Sequence, residues 1–325
     1  MKIHRVPFTY REYFLRTRDF LSETFRIYQD AINWRIERWE YAFHYVAPRL
    51  ANWGEQPPLF ESFQKALRLL ESKTGLWQTE SGKIAGVVNI EHPDPTHPDY
   101  GEFFIQRHPD YLHLLPEMLD FAENYLFHPG NKRLFIYADP EDKHFTDLLI
   151  GRGFVAMPEQ VAAESEFDFH NATLPEKPAL PEGFRLQSMA EDNNLSERCK
   201  AFGCGFNHLE PENWPSVLSY ECLQDAPDYR KDQDIVVVAP DGAFASFCLI
   251  WYDVPNRMAT LEPVGTIPEY RRMGLAREAV YEAMRRVVAR GANRVFVGST
   301  QPFYRAIGFV PSQPNIRYEK TCSGD

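Results

Sequence analysis

Apolar residues along the chain gather into short runs, and the same order of runs occurs twice. Gly75–Ile90 (GLWQTESGKIAGVVNI) reads as a strand, a turn at Ser81-Gly82 and a second strand. Asp234–Trp251 (DIVVVAPDGAFASFCLIW) reads the same way around Asp241-Gly242. A further strand then ends in Pro109-Asp110-Tyr111 in the first place and Pro268-Glu269-Tyr270 in the second. A helix follows each. In the second it is marked by apolar positions at Ala276, Ala279, Val280, Ala283, Met284, Val287 and Val288, the i, i+3, i+4 spacing of a packed face, and Gly291 stands where a C-terminal cap belongs. Short apolar strands come next, Arg133–Ile136 and Arg294–Val297, and each set closes on Gly-Phe, at Gly153-Phe154 and Gly308-Phe309.

Gly82 and Gly242, Pro109 and Pro268, Arg133 and Arg294, and Gly153 and Gly308 stand 160, 159, 161 and 155 residues apart. Four ordered matches at a nearly constant offset indicate two copies of one unit. Helices precede each hairpin: Tyr10–Glu71 carries two or three and is rich in aromatics (Trp34, Trp39, Tyr41, Phe43, Tyr45), and Glu191–Phe206 and Trp214–Leu223 carry one each. Core packing is the first reading of those aromatics, with a substrate-lining role as the alternative. Asn171–Gly183 holds Pro175, Pro178 and Pro181, which favour extended chain, as a linker does. The expected organisation is therefore an α/β (α+β) chain with a first domain at 1–170, a linker at 171–182 and a second domain at 183–325, each domain a mixed, mostly antiparallel sheet flanked by helices.

Composition narrows the partners. A length of 325 residues suits two domains, and 44% hydrophobic with 25% charged residues is ordinary for a globular protein. The formal net charge of -11 argues against nucleic acid or an anionic membrane as the main partner. Cys199, Cys204, Cys222, Cys248 and Cys322 show no paired half-site spacing, which suggests free thiols and a reducing compartment. Neither a secretory leader nor a membrane-length apolar run is visible, so a cytoplasmic location is expected. The ten histidines show no H-x-x-x-H or His–carboxylate ligand spacing, and GxGxxG and Walker-type loops are missing.

The segment richest in chemistry is Thr260–Gly291. An extended start passes through Val264-Gly265-Thr266 and a proline-marked loop into Arg271-Arg272-Met273-Gly274-Leu275-Ala276, and then into the helix. Such a loop presents unpaired N–H groups together with the positive end of the helix dipole, which suits a pyrophosphate. Glycine at 274 and alanine at 276 keep the backbone approachable, and Arg271 and Arg272 add charge. Arg271-x-x-Gly274-x-Ala276 in this setting resembles the acyl-coenzyme A pyrophosphate loop of the GNAT acetyltransferases, Q/R-x-x-G-x-G/A. Tyr304-Arg305-Ala306-Ile307-Gly308-Phe309 is similar to the family's Y-x-x-x-G-F ending. The resemblance spans roughly Pro181 to Lys320.

It implies acetyl-CoA as cosubstrate and an amine of a small molecule or peptide as acceptor. Val264, Gly265 and Thr266 would contact the pantetheine arm, and Arg271 through Ala276 the diphosphate. Tyr304 would be the general acid to the departing thiolate. Glu262, on the strand approaching the thioester, is the best-placed base for the ammonium, directly or through water, with His208 a weaker option. Asp253 is a further acidic group, for ordering the amine or for a turn. Two features depart from the family pattern: the segment Ser299–Phe303 before Tyr304 is short, and alanine stands at 276. In the first copy Leu112, Leu115 and Glu117 align with Arg271, Gly274 and Ala276, and Leu149 with Tyr304. That copy is expected to keep the fold without the cofactor loop and to help shape the substrate cleft. The alternatives are a non-catalytic acyl-CoA sensor and a transferase of longer acyl or aminoacyl groups.

Overall fold

A computed structural model describes residues 2–30, 32–50, 59–95, 97, 99–176 and 179–321. Cys322 and Pro178 lie outside the described residues. The chain forms two compact units, Met1–Ala162 with Gln313–Asp325, and Ala163–Ser312.

In the first unit, β1 (Ile3–Pro7) leads into α1 (Tyr10–Tyr28), then α2 (Ile36–Tyr41), a π-helical stretch Ala42–Val46, α3 (Ala47–Leu50) and α4 (Leu59–Ser72). The expected hairpin follows as β2 (Gly75–Thr79) and β3 (Ile84–Asn89), then β4 (Phe104–Arg107), α5 (Leu115–Tyr125), β5 (Arg133–Ala138), α6 (Lys143–Gly151) and β6 (Val155–Ala162). The aromatic-rich helices form the core. Trp39, Phe43 and Phe14 are at most 2% exposed, and the Trp39 and Phe43 rings lie 4.6 Å apart. These rings pack with one another and with Phe8, which is the burial that large aromatic side chains favour.

The second unit begins earlier than the proline-rich linker. Strand β7 (Ser165–Asp168) already belongs to its sheet, followed by β8 (Arg185–Ser188), α7 (Leu195–Gly205), α8 (Val217–Gln224), β9 (Asp234–Val238) and β10 (Phe244–Asp253). Then come β11 (Met258–Thr266), α9 (Leu275–Val288), β12 (Arg294–Val297), α10 (Pro302–Ala306) and β13 (Val310–Pro311). The seven strands run in the order β13-β7-β12-β11-β10-β9-β8, parallel between β11 and β12 and antiparallel elsewhere. The last strand, β14 (Asn315–Thr321), sits between β5 and β6 of the first unit. Each unit thus has one sheet that takes an inner strand from a part of the chain that the sequence boundaries assign to the other domain, while β1-β2-β3-β4 form a separate sheet of the first unit. A lone four- to seven-residue strand carries no signal for which sheet it will join, so the division at 162/163 and 312/313 differs from 1–170, 171–182 and 183–325.

Strands β9 and β10 are buried along their whole length, which explains their unbroken apolar runs. Ala279, Val280, Ala283, Met284 and Val287 of α9 join one core with Ala245, Cys248, Ile250 and Tyr252. Val280, Met284 and Val287 are each 0% exposed, worth ~1.5–3 kcal/mol apiece relative to exposure. Outside that core, Phe247 stacks near Phe202 of α7, centroids 5.9 Å apart, and Trp251 meets Tyr229 at 6.0 Å. A buried polar knot anchors the start of β9. Asp234 accepts from Arg198 Nε at 3.0 Å, Tyr220 Oη at 2.6 Å and Tyr229 Oη at 2.8 Å. No helix among the described residues is long and apolar enough to cross a membrane.

Candidate active site in the second unit

The site grows from the way β11 leaves its neighbour. Its parallel pairing with β12 runs from Met258 opposite Arg294 to Leu261 opposite Val297 and then stops. Strand β12 turns away, its carbonyl at Val297 accepting from Ser299 N–H. Pairing of β11 with β10 continues through Val264, Gly265 and Thr266, opposite Cys248, Phe247 and Ser246. Residues 264–266 therefore stay paired with β10 and have no ladder partner on the side toward β12.

Local contacts fix that stretch. Trp251 Nε1 donates to the Glu262 carbonyl at 2.8 Å, and Ser246 Oγ donates to the Gly265 carbonyl at 2.8 Å. Glycine at 265 is required by packing: a Cβ there would lie 2.4 Å from Phe247 Cζ. Nothing in the local sequence announces this, because the ring belongs to the neighbouring strand.

Beyond Thr266 the chain makes a 3-10 turn, Pro268–Tyr270, and enters α9 through Gly274. Gly274 is left-handed, φ 81° and ψ 4°, and offers no side chain to cap the helix. Helices α6, α7 and α8 are instead capped by Asp142, Asn194 and Ser216. The N–H groups of Gly274, Leu275, Ala276 and Arg277 meet no acceptor among the described residues. They form a row of donors at the positive end of a fourteen-residue helix.

The arginines divide their work. Arg271 Nε donates to the Thr266 carbonyl at 3.1 Å, and its Nη2 donates to Asn207 Oδ1 at 2.7 Å and to the Gly205 carbonyl at 3.2 Å. Its charge remains beside the loop, while most of its donors brace the loop against the end of α7. Arg272 is exposed and itself left-handed, φ 65°, and Met273 is 39% exposed. Arg277, which the sequence reading passed over, lies close enough that a Cβ on Gly274 would be 3.3 Å from its Nη2; it pairs with Glu278 at 2.9 Å.

Tyr304 sits in α10, 8% exposed, its ring against Phe303 and Phe309. The Gly-Phe pair explains itself here. Gly308, φ 101°, lets the chain reverse so that Phe309 N–H returns to the Tyr304 carbonyl, and a Cβ on Gly308 would strike Phe167 at 2.8 Å. The Tyr304 hydroxyl makes no hydrogen bond with another described residue. Burial first, then the nearby Cys248 and Glu262, push this phenol above its ordinary range. The last two causes place Cys248 and Glu262 near Tyr304. Cys248, at a β-bulge in β10, is fully buried and its thiol is likewise raised by burial.

Other candidates fall elsewhere. Asp253 is 1% exposed and accepts from Asn256 Nδ2 at 2.6 Å, at the end of the β10–β11 hairpin away from Thr266, so it builds the turn. His208 lies in the exposed α7–α8 loop, its carbonyl taken by Trp214 Nε1 at 2.9 Å.

The first unit treats the matching segment differently. A 3-10 stretch, Pro109–Leu114, runs directly into α5, with Leu115 N–H bonded to the Leu112 carbonyl. Leu115 and Leu149 are 0% exposed, and Glu117 accepts from Trp77 Nε1 at 2.8 Å. Apolar packing and a carboxylate occupy what the second unit leaves to an exposed loop and a phenol.

Comparison with known proteins agrees with this anatomy. Residues 199–310 match the acetyltransferase (GNAT) family. In fold, the chain is similar to a GCN5-related N-acetyltransferase from Sphaerobacter thermophilus (TM-score 0.59, 12% identity, 98% of this chain and 95% of that one). It is equally similar to a tandem GNAT protein from the clavulanic acid biosynthesis pathway (TM-score 0.59, 13% identity, 100% of both chains). N-myristoyltransferase of Saccharomyces cerevisiae, solved with myristoyl-CoA, also aligns (TM-score 0.53, 12% identity, 98% and 79%). No curated protein matches the sequence.

Proposed function

We propose, from the premise that this chain has the tandem GNAT architecture with its GNAT domain at residues 199–310, that the second unit transfers an acetyl group from acetyl-CoA to an amine of a small-molecule or peptidyl acceptor. The observation that carries this reading is the row of N–H groups from Gly274 to Arg277 without acceptors among the described residues. A diphosphate satisfies several such donors at once and is favoured by the helix dipole. Arg271 holds the loop in shape, and Arg272 adds positive charge. The side of residues 264–266 without a ladder partner supports an extended, amide-bearing arm by strand-like hydrogen bonds, which suits pantetheine.

Tyr304 has the properties of an acid that keeps its proton until needed. Its hydroxyl has no hydrogen-bond partner among the described residues, and its raised pKa holds it protonated at neutral pH. A thiol in water titrates near ~8.5, and the burial that raises the phenol also raises a thiol formed beside it, so proton transfer stays feasible. Glu262, coupled to the same phenol, accepts the proton that the ammonium must lose, directly or through water.

Thiol release from acetyl-CoA, measured against a panel of amines and with longer acyl-CoA thioesters alongside, tests the activity. Amine-dependent release that Tyr304→Phe suppresses, with cofactor affinity retained, is expected. Binding without release for every amine and thioester would instead identify a sensor.

A further inference from the structure

Away from this site, the first unit contains a cluster that the transfer chemistry does not use. The segment between β3 and β4 folds through successive turns, His97 N–H to the Asp94 carbonyl, Tyr100 N–H to His97, and Glu102 N–H to Asp99. These reversals bring back together residues that are five and seven positions apart in sequence. The rings of His92 and His97 lie face to face, centroids 3.9 Å apart and 16° from parallel. His97 Nδ1 and Asp99 Oδ2 are 3.9 Å apart, and one donor atom from each of His92, His97 and Asp99 lies within 4.8 Å of the others.

His97 Nδ1 accepts from the Asp99 N–H at 3.2 Å, which leaves its Nε2 as the ring nitrogen for a ligand, while other polar groups here are poorly served by the described residues. His92 Nδ1 is shut off from solvent without a hydrogen-bond partner among the described residues. The Glu102 carboxyl makes no hydrogen bond or ion pair with another described residue, and it is near enough to Asp99 for their charges to repel. The ends of the segment are nevertheless anchored. Glu91 is ion-paired to Arg38, Tyr100 is 3% exposed against His128, and Glu102 bridges to Phe135.

We propose that His92, His97 and Asp99 bind one divalent transition-metal ion of the zinc class. Two imidazoles and a carboxylate are the ligand set such ions prefer; calcium and magnesium favour all-oxygen cages. Bonds of ~2.0–2.1 Å to a tetrahedral ion set donors about 3.3 Å apart, so three donors now within 4.8 Å of one another draw closer on binding. One stacked ring turns to aim its lone pair at the ion. The fourth position is left to water or to Glu102, whose negative charge the ion offsets. The site clips the β3–β4 segment of the first unit and is independent of the acyl-transfer reading. The three residues do not follow a regular ligand spacing along one helix or hairpin, so no motif marks them.

The test uses the full chain, stripped with a chelator, titrated with zinc chloride by calorimetry and with cobalt(II) by visible absorption. One equivalent per chain is expected, with ligand-field bands in the cobalt complex. His97→Ala and Asp99→Asn, on side chains 24% and 55% exposed, should each weaken zinc by at least tenfold with the circular dichroism spectrum unchanged. His92→Ala should do the same. Failure of the wild-type chain to bind either ion, or binding that these variants leave unaltered, overturns the assignment.

Discussion

Replacing Gly274 by alanine isolates what the backbone contributes to cofactor binding. The residue stands at φ 81°, ψ 4°, where an L-residue costs roughly 1–2 kcal/mol. Space is a lesser matter, since the new Cβ would meet the flexible tip of Arg277 at 3.3 Å. Two responses are open to the variant. If the loop keeps its shape, unfolding free energy in urea falls by that ~1–2 kcal/mol. If the loop relaxes toward right-handed conformations, the fraction presenting the amide row falls ~5- to 30-fold, and the Kd for acetyl-CoA rises by the same factor. Asparagine, which tolerates the left-handed region better, should lie between glycine and alanine. Calorimetric titration of acetyl-CoA together with urea unfolding reads both quantities. Alanine and wild type agreeing within twofold in Kd and within ~0.3 kcal/mol in stability would refute the reasoning.

Tyr304→Phe removes a hydroxyl without a hydrogen-bond partner among the described residues from a packed ring, so kcat should fall ~10²- to 10⁴-fold with the melting temperature nearly unchanged. Glu262→Gln should lower kcat at neutral pH and lose less as pH rises and more of the amine arrives unprotonated, visible in pH–rate profiles. Asp234→Ala strands the fully buried Arg198 without its carboxylate and should cost ~3–5 kcal/mol, read by chemical denaturation. Tyr220, Tyr229 and Tyr304 hold their protons to higher pH in the folded chain than in the unfolded one. Their contribution is complete below the unfolded value near ~10 and is lost as pH rises beyond it, so the melting temperature should decline more steeply above pH ~10.

Much of the second unit was legible because its signals are local. The apolar runs of β9 and β10, the α9 stripe and the loop glycine each state their own conformation. The Gly-Phe pair was recognisable, but its reason was not, since it depends on Phe167 from β7, well over a hundred residues away. Gly265 is similar: the ring that forbids a side chain there comes from β10. Arg271 looked like a phosphate ligand from its charge, yet its guanidinium mostly braces the loop, because only folding brings Gly205 and Asn207 within reach. The exchanged strands β7 and β14 escaped for the same reason, as a few alternating residues do not specify which sheet edge they will meet. His92, His97 and Asp99 converge through three turns that no periodicity marks.

A structure of the chain with coenzyme A bound tests the central claim most directly. Diphosphate oxygens within hydrogen-bond distance of the main-chain nitrogens from Gly274 to Arg277, and the thiol directed toward Tyr304, are the predicted result. Coenzyme A held elsewhere, or a loop left vacant at saturating ligand, would contradict it.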